Sequence, residues 1–211
     1  MTLSRVYAIV DVDGCLSQNL DPIDHANALA DGGIRLFQLR AKKQTSGETY
    51  RYAKSLMSRL VGYRATLLIN DRVDISQSVG GSGVHLPSSG IPIHVACRMF
   101  PSGIVATSCH DQHEVNHAAE DGADFVTLSP LFEPTSKKKY AVDPLGLAQF
   151  EAIAKSTTLP VYALGGVTPE NVEACLHAGA YGVAILGGLM GKDPARLAQR
   201  YLEAIEMFGN T

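Results

Sequence analysis

Eight short β-branched runs alternate with eight helical patterns from one end of the chain to the other, and this alternation limits the fold more than any other feature. The predicted strands are Val6–Val10, Leu36–Leu39, Thr66–Ile69, Gly83–Leu86, Gly103–Ser108, Phe125–Ser129, Val161–Leu164 and Val183–Leu186. Between and after them the patterns predict helices over Asp21–Asp31, Ser46–Leu60, Val73–Val79, Ile91–Met99, Asp111–Asp121, Leu145–Ala154, Pro169–Ala178 and Ala195–Phe208. Eight β-then-α units in 211 residues predict one (β/α)8 barrel domain of parallel strands, a TIM barrel, over residues 1–211. The rival is a doubly wound open sheet. The count of eight and the lack of a G-x-G-x-x-G after the first strand favour closure. The phrases D-G-G-I-R-L, D-G-A-D-F-V and A-G-A-Y-G-V each precede a strand and read as glycine-capped helix ends.

Composition excludes several classes. A net charge of −3 offers no basic field for nucleic acid or an anionic membrane. The first apolar run is too short for a signal segment and ends in acids, and no run is long enough to span a bilayer. The four cysteines, Cys15, Cys97, Cys109 and Cys175, show no C-x-x-C spacing and suggest reduced thiols in a cytoplasm-like compartment. No helical pattern carries an extra apolar stripe, so a homo-oligomer stays open.

The richest stretch runs from Val161 to Gly188. Its two strands each end in a glycine pair, Gly165-Gly166 and Gly187-Gly188, the second preceded by Leu186. Thr168, Pro169 and Glu170 suit an N-cap, a first helical position and a first-turn acid. Glycine pairs after consecutive late strands expose backbone N–H groups that can hold a phosphate; the alternative is that they only make tight turns.

In a barrel the C-terminal strand ends carry the chemistry. The second strand offers Gln38 and Arg40, which share one face by the period of two, with Lys42 beyond them. The third offers Asn70 and Asp71, the fifth Ser108 and His110, the sixth Ser129. Arg40, Lys42 and Lys137, with Asn70 and Ser108 as neutral donors, form a second candidate anion site facing the glycine site. Asp71 beside phosphate oxygens suggests a bridging Mg2+, or else a structural ion pair with Arg40. His110 is a candidate acid/base, while His85 also suits a satisfied core histidine. The string His110, His113, His117 is a weak zinc pattern, since no H-E-x-x-H accompanies it. Residues 132–144, with Ser136 to Lys139, form a long basic loop that is expected to act as a lid or to lie solvated.

Taken in order, Q-L-R-x-K, I-N-D-R-V-D, G-V-H-L, S-x-H, the S-K loop, G-G-V-T-P-E-N-V and G-V-A-I-L-G-G resemble the thiamine phosphate synthase/TenI family over nearly the whole chain. The resemblance implies a thiamine-biosynthesis transferase. Such an enzyme joins hydroxymethylpyrimidine diphosphate to a thiazole phosphate carboxylate and releases pyrophosphate, through a pyrimidine carbocation. It implies that Arg40, Lys42, Asn70, Ser108 and Lys137 bind the pyrophosphate, with Ser136 in the same loop, and that Asp71 is one Mg2+ ligand. It places Gln38 close to the pyrimidine, and Gly166, Leu186 and Gly187 in the backbone cradle of the thiazole phosphate. Two departures stand out. Pro87-Ser88-Ser89-Gly90 lacks the second Mg2+ carboxylate, and Pro134-Thr135-Ser136-Lys137 replaces Thr-x-Thr-Lys. L-P-S-S and the F-E loop (Phe132-Glu133) resemble the TenI branch of thiazole tautomerases, for which His110 would be the acid/base. A non-catalytic ligand-binding relative is the third alternative.

Overall fold

A computed structural model describes residues 3–133 and 143–209. The eight strands close in sequence order, every neighbouring pair parallel. They are β1 (Val6–Asp11), β2 (Leu36–Arg40), β3 (Thr66–Asn70), β4 (Gly83–Leu86), β5 (Ile104–Cys109), β6 (Phe125–Leu128), β7 (Val161–Leu164) and β8 (Gly182–Ile185). The barrel prediction therefore holds and the open sheet is excluded. The α-helices are α1 (Val12–Ser17), α2 (Pro22–Asp31), α3 (Ser46–Leu60), α4 (Val73–Ser78), α5 (Ile93–Met99), α6 (Gln112–Glu120), α7 (Gly146–Lys155), α8 (Val172–His177) and α9 (Pro194–Gly209).

The period of two along each strand sorts side chains between two cores. Inward-facing Tyr7, Leu36, Leu68, Ile104, Phe125 and Tyr162 fill the barrel. The rings of Tyr7 and Phe125 meet edge-on at 5.4 Å, and those of Phe125 and Tyr162 at 5.0 Å. The bottom and middle of the barrel are thus packed, and only its top is left for a ligand. Outward-facing Val6, Ala8, Val10, Phe37, Leu39, Leu67 and Ile69 pack under the helices. The three repeated phrases do end helices on left-handed glycines: Gly33, Gly122 and Gly179 have φ of 105°, 87° and 88°. After them, Ile34 N–H donates to Leu29, Ala123 N–H to Ala118 and Ala180 N–H to Cys175, the six-residue bonds of Schellman caps.

Two elements differ from the sequence expectation. A short helix, α1, follows β1 directly, because Asp11 ends the strand and accepts from Gly14 N–H as its N-cap. The expected helix over Pro169–Ala178 starts as a 3-10 turn, Pro169–Asn171, before α8. Its start signals are as read: Thr168 is the N-cap with Asn171 closing a capping box, and Pro169 is the first residue. No helix among the described residues is long and apolar enough to cross a membrane. The four cysteines are free, and three of them are buried.

Candidate active site

Because all eight strands run the same way, their C-terminal ends surround one cavity of about 550 Å³ at the top of the barrel. The β2–β5 side contributes Gln38, Arg40, Lys42, Asn70 and Ser108. The β7–β8 side contributes Gly165, Gly166, Leu186, Gly187 and Gly188. His110 and Ser129 lie between them, and Ile9, Leu164 and Ala184 form an apolar floor. The sequence-predicted residues within the described chain thus converge on one site, except Asp71. Ser136 and Lys137, like most of the expected loop over 132–144, lie outside the described residues.

The glycine wall presents backbone donors. Gly187–Leu189 form a single 3-10 turn whose bonds are donated by Leu189 to Leu186 and by Met190 to Gly187. The N–H groups of Gly187 and Gly188 precede those bonds and have no place in the turn's own ladder. A Cβ at Gly187 would meet nothing within 4 Å, whereas one at Gly188 would lie 2.2 Å from the Tyr201 hydroxyl. Gly166 is left-handed (φ 66°), and a Cβ there would sit 2.6 Å from the Glu133 carbonyl oxygen. The cradle is therefore bare by steric necessity at Gly166 and Gly188 and open at Gly187.

On the opposite wall the ion pair is not the one entertained from sequence. Arg40 Nη1 bonds Asp11 Oδ1 at 2.6 Å, not Asp71. The physical reason is register: Asp11 of β1 stands directly beside Arg40 of β2. The acid closing V-Y-A-I-V-D was the available signal, and reading it required strand register that the sequence does not spell out. The pair is part-exposed, and Arg40 keeps its place in the cavity wall. Asp71 does not line the cavity. It is left-handed (φ 60°), and its Oδ1 lies 3.1 Å from where a Cβ would stand on Gly90. The carboxylate is thus turned onto the Pro87–Gly90 loop, whose Ser88 and Ser89 do line the cavity.

His110 is oriented by the chain. Its Nδ1–H donates to the Ser129 carbonyl at 2.7 Å, since a carbonyl can only accept. Nε2 is then the nitrogen left to exchange a proton. His113 and His117 do not join it; they line a separate outer groove with His94 and Asp121. Among the described residues no group of three or more His, Cys, Asp or Glu side chains could hold a metal. Cys109, next to Ser108, is buried on the outer side, and burial pushes its thiol up to about 12, so it is no nucleophile.

Beneath the cavity runs a chain of side-chain hydrogen bonds that crosses five strands. Gln38 Nε2 donates to the Tyr7 hydroxyl at 3.1 Å. That hydroxyl lies 3.2 Å from His85 Nδ1, and His85 Nε2 lies 2.9 Å from Ser108 Oγ. Thr127 Oγ1 reaches the same Ser108 oxygen at 3.4 Å. Burial holds the His85 imidazole down at about 3 and raises the Tyr7 phenol well above its ordinary value, so both are neutral. His85 is buried with both ring nitrogens partnered, as expected of a satisfied core histidine, and it also borders the cavity. Its link to Ser108 depends on the β4–β5–β6 register and was not legible beforehand.

Comparison with known proteins follows the same pattern. A family model described as thiamine monophosphate synthase matches residues 6–189. A putative thiamine-phosphate synthase 2 of Aquifex aeolicus is 38% identical over 184 residues, 87% of this chain and 96% of that one. The thiamine-phosphate synthase of Caldivirga maquilingensis is 31% identical over 183 residues, 86% of this chain and 88% of that one. Among solved structures, the thiamine phosphate pyrophosphorylase of Pyrococcus furiosus superposes with a TM-score of 0.86 at 25% identity, covering 97% of this chain and 96% of that one.

Proposed function

The chain belongs to the thiamine monophosphate synthase family, and on that premise we propose that it is the synthase itself, acting on hydroxymethylpyrimidine diphosphate and thiazole phosphate carboxylate. The observation that supports this reading is that Arg40, Lys42, Asn70 and Ser108 line one side of a cavity whose other side is lined by Gly165, Gly166, Gly187 and Gly188. A thiazole tautomerase has use for the glycine wall and His110. It has no use for Arg40, Lys42, Asn70 and Ser108 together on the other side.

The chemistry fits those positions. The pyrimidine–oxygen bond breaks with its electron pair going to the departing pyrophosphate, whose negative charge Arg40, Lys42 and the neutral donors Asn70 and Ser108 stabilise. The thiazole nitrogen lone pair then forms the carbon–nitrogen bond, the thiazole carboxylate leaves as carbon dioxide, and the electron pair that it leaves on the thiazole takes up a proton. The Gly166, Leu186, Gly187 and Gly188 backbone holds the thiazole phosphate and so fixes the direction of attack. The apolar floor of Ile9, Leu164 and Ala184 keeps water from the cation. Gln38, two residues below Arg40 on the same strand face, suits a contact to the pyrimidine.

A Mg2+ held mainly by diphosphate oxygens would take one carboxylate from Asp71, which lies over Gly90 beside the cavity and would have to turn toward the diphosphate. Bound there, the ion would neutralise charge on the leaving group. The unpaired thiols support a reducing, cytoplasm-like compartment.

The test is a fluorescence assay for thiamine phosphate with both substrates and Mg2+, on the native chain and on Arg40→Leu. Product from the native chain, reduced at least 100-fold in Arg40→Leu while thiazole phosphate affinity is kept, is expected. No product, together with isomerisation of the thiazole tautomer that is lost in His110→Ala, would replace the synthase with a tautomerase. Thiazole phosphate binding without either reaction would leave a binding protein.

A further inference from the structure

The hydrogen-bond chain under the cavity has only two self-consistent polarities. Tyr7 and His85 are fully or nearly fully buried, and among the described residues neither has a further polar partner for the groups in question. In the first polarity Gln38 Nε2–H donates to the Tyr7 oxygen, as observed. The Tyr7 O–H must then donate to His85 Nδ1, because an unbonded hydroxyl hydrogen at that depth is disfavoured. A neutral imidazole accepting at Nδ1 carries its proton on Nε2 and donates it to Ser108 Oγ. The Ser108 oxygen now accepts from His85 and from Thr127, which fills both of its acceptor positions. Its own hydrogen has nowhere to go but the cavity that Ser108 lines. In the second polarity the Gln38 amide is turned over, every bond reverses, and Ser108 spends its hydrogen on His85.

We propose that His85 is a positioning residue. Its Nε2–H form, imposed through Tyr7 by Gln38, aims the Ser108 hydroxyl hydrogen at the anionic end of the ligand. Two cavity positions are thereby coupled through the barrel interior: the Gln38 carbonyl faces the ligand as an acceptor at the same time as Ser108 faces it as a donor. A ligand that offers an N–H group at Gln38 and an anion at Ser108 selects this polarity at both ends together. A ligand with an anion alone gains from it at one end. The inference rests on the reading of the Ser108 wall as an anion site, and its test separates the two.

The test is the 15N spectrum of the His85 ring, in the free protein and with inorganic pyrophosphate and Mg2+, for the native chain and for Tyr7→Phe. The proton is expected on Nε2 in the native protein, free and bound. Tyr7→Phe removes the only group that reads Gln38 to His85. It is expected to give a mixture of the two ring forms and a threefold to tenfold loss of pyrophosphate affinity, with a native-like amide 1H–15N spectrum showing that the fold persists. A proton on Nδ1 in the native protein, or Tyr7→Phe leaving both ring form and affinity unchanged, overturns the proposal even where pyrophosphate binds. If pyrophosphate fails to bind while the native ring carries Nε2–H and Tyr7→Phe mixes the forms, the relay stands and the anion reading of the wall falls.

Discussion

Gly187→Ala separates phosphate binding from folding at one position. The new Cβ would meet nothing within 4 Å, and Gly187 is not among the residues with left-handed backbone. Folding therefore has no clash or strain to absorb, and the lost freedom of the unfolded chain is worth about 0.4–1 kcal/mol in favour of the variant. The methyl group stands instead in open space at the wall of the cavity that Gly187 and Gly188 line, where the phosphate is proposed to meet their N–H groups. A phosphate held off by a methyl loses one charge-assisted N–H bond and weakens a second. At about 1.5–3 kcal/mol for a hydrogen bond to a charged group, the net loss is about 2–3 kcal/mol. That corresponds to roughly 30- to 150-fold in the affinity for thiazole phosphate. Isothermal titration with thiazole phosphate measures it, beside a thermal melt that should be unchanged or slightly raised. Gly62→Ala, whose Cβ also meets nothing within 4 Å but which lies outside the cavity, should leave both unchanged. Native-like affinity in Gly187→Ala would refute the placing of the phosphate at the Gly187-Gly188 N–H groups.

Gly166→Ala should behave in the opposite way: its left-handed φ and the 2.6 Å approach to the Glu133 carbonyl oxygen predict a loss of about 2–4 kcal/mol of stability, read as a shifted urea midpoint. The acid limb of stability has a named source as well. Burial lowers His85 to about 3 and lowers His25 from the ordinary imidazole value of 6.5, so below that value the unfolded chain takes up protons that the folded chain refuses. Their contribution is complete above 6.5 and is lost as the pH falls toward the folded values, on the order of 2 kcal/mol for His85 by pH ~4.5. His25→Met should flatten the slope of urea stability against pH without removing a hydrogen bond, since both ring nitrogens of His25 lack a partner among the described residues. An unchanged slope would place the acid sensitivity elsewhere.

The parts of this molecule that a sequence shows are those encoded locally. Strand count, the Schellman glycines at 33, 122 and 179, and the Thr168-Pro169 helix start each depend on neighbours within a few residues, and each is found as read. The membership of the cavity was also legible, because a closed parallel barrel brings every strand end to one rim whatever the register. What register alone decides was not legible. Arg40 was free to be matched with Asp71 until β1 and β2 were seen to set Asp11 beside it. His85 and Ser108 belong to adjacent strands, yet nothing in G-V-H-L or S-x-H says that one ring nitrogen will meet the other's hydroxyl at 2.9 Å. The same distinction explains which chemistry is easy to transfer between relatives. Backbone cradles follow from glycines that any reader can count, whereas the direction of a hydroxyl follows from a chain of protons set by Tyr7, four strands' register and the turn of one amide. A variant at Tyr7 would therefore alter the reaction without touching a residue that a motif would name.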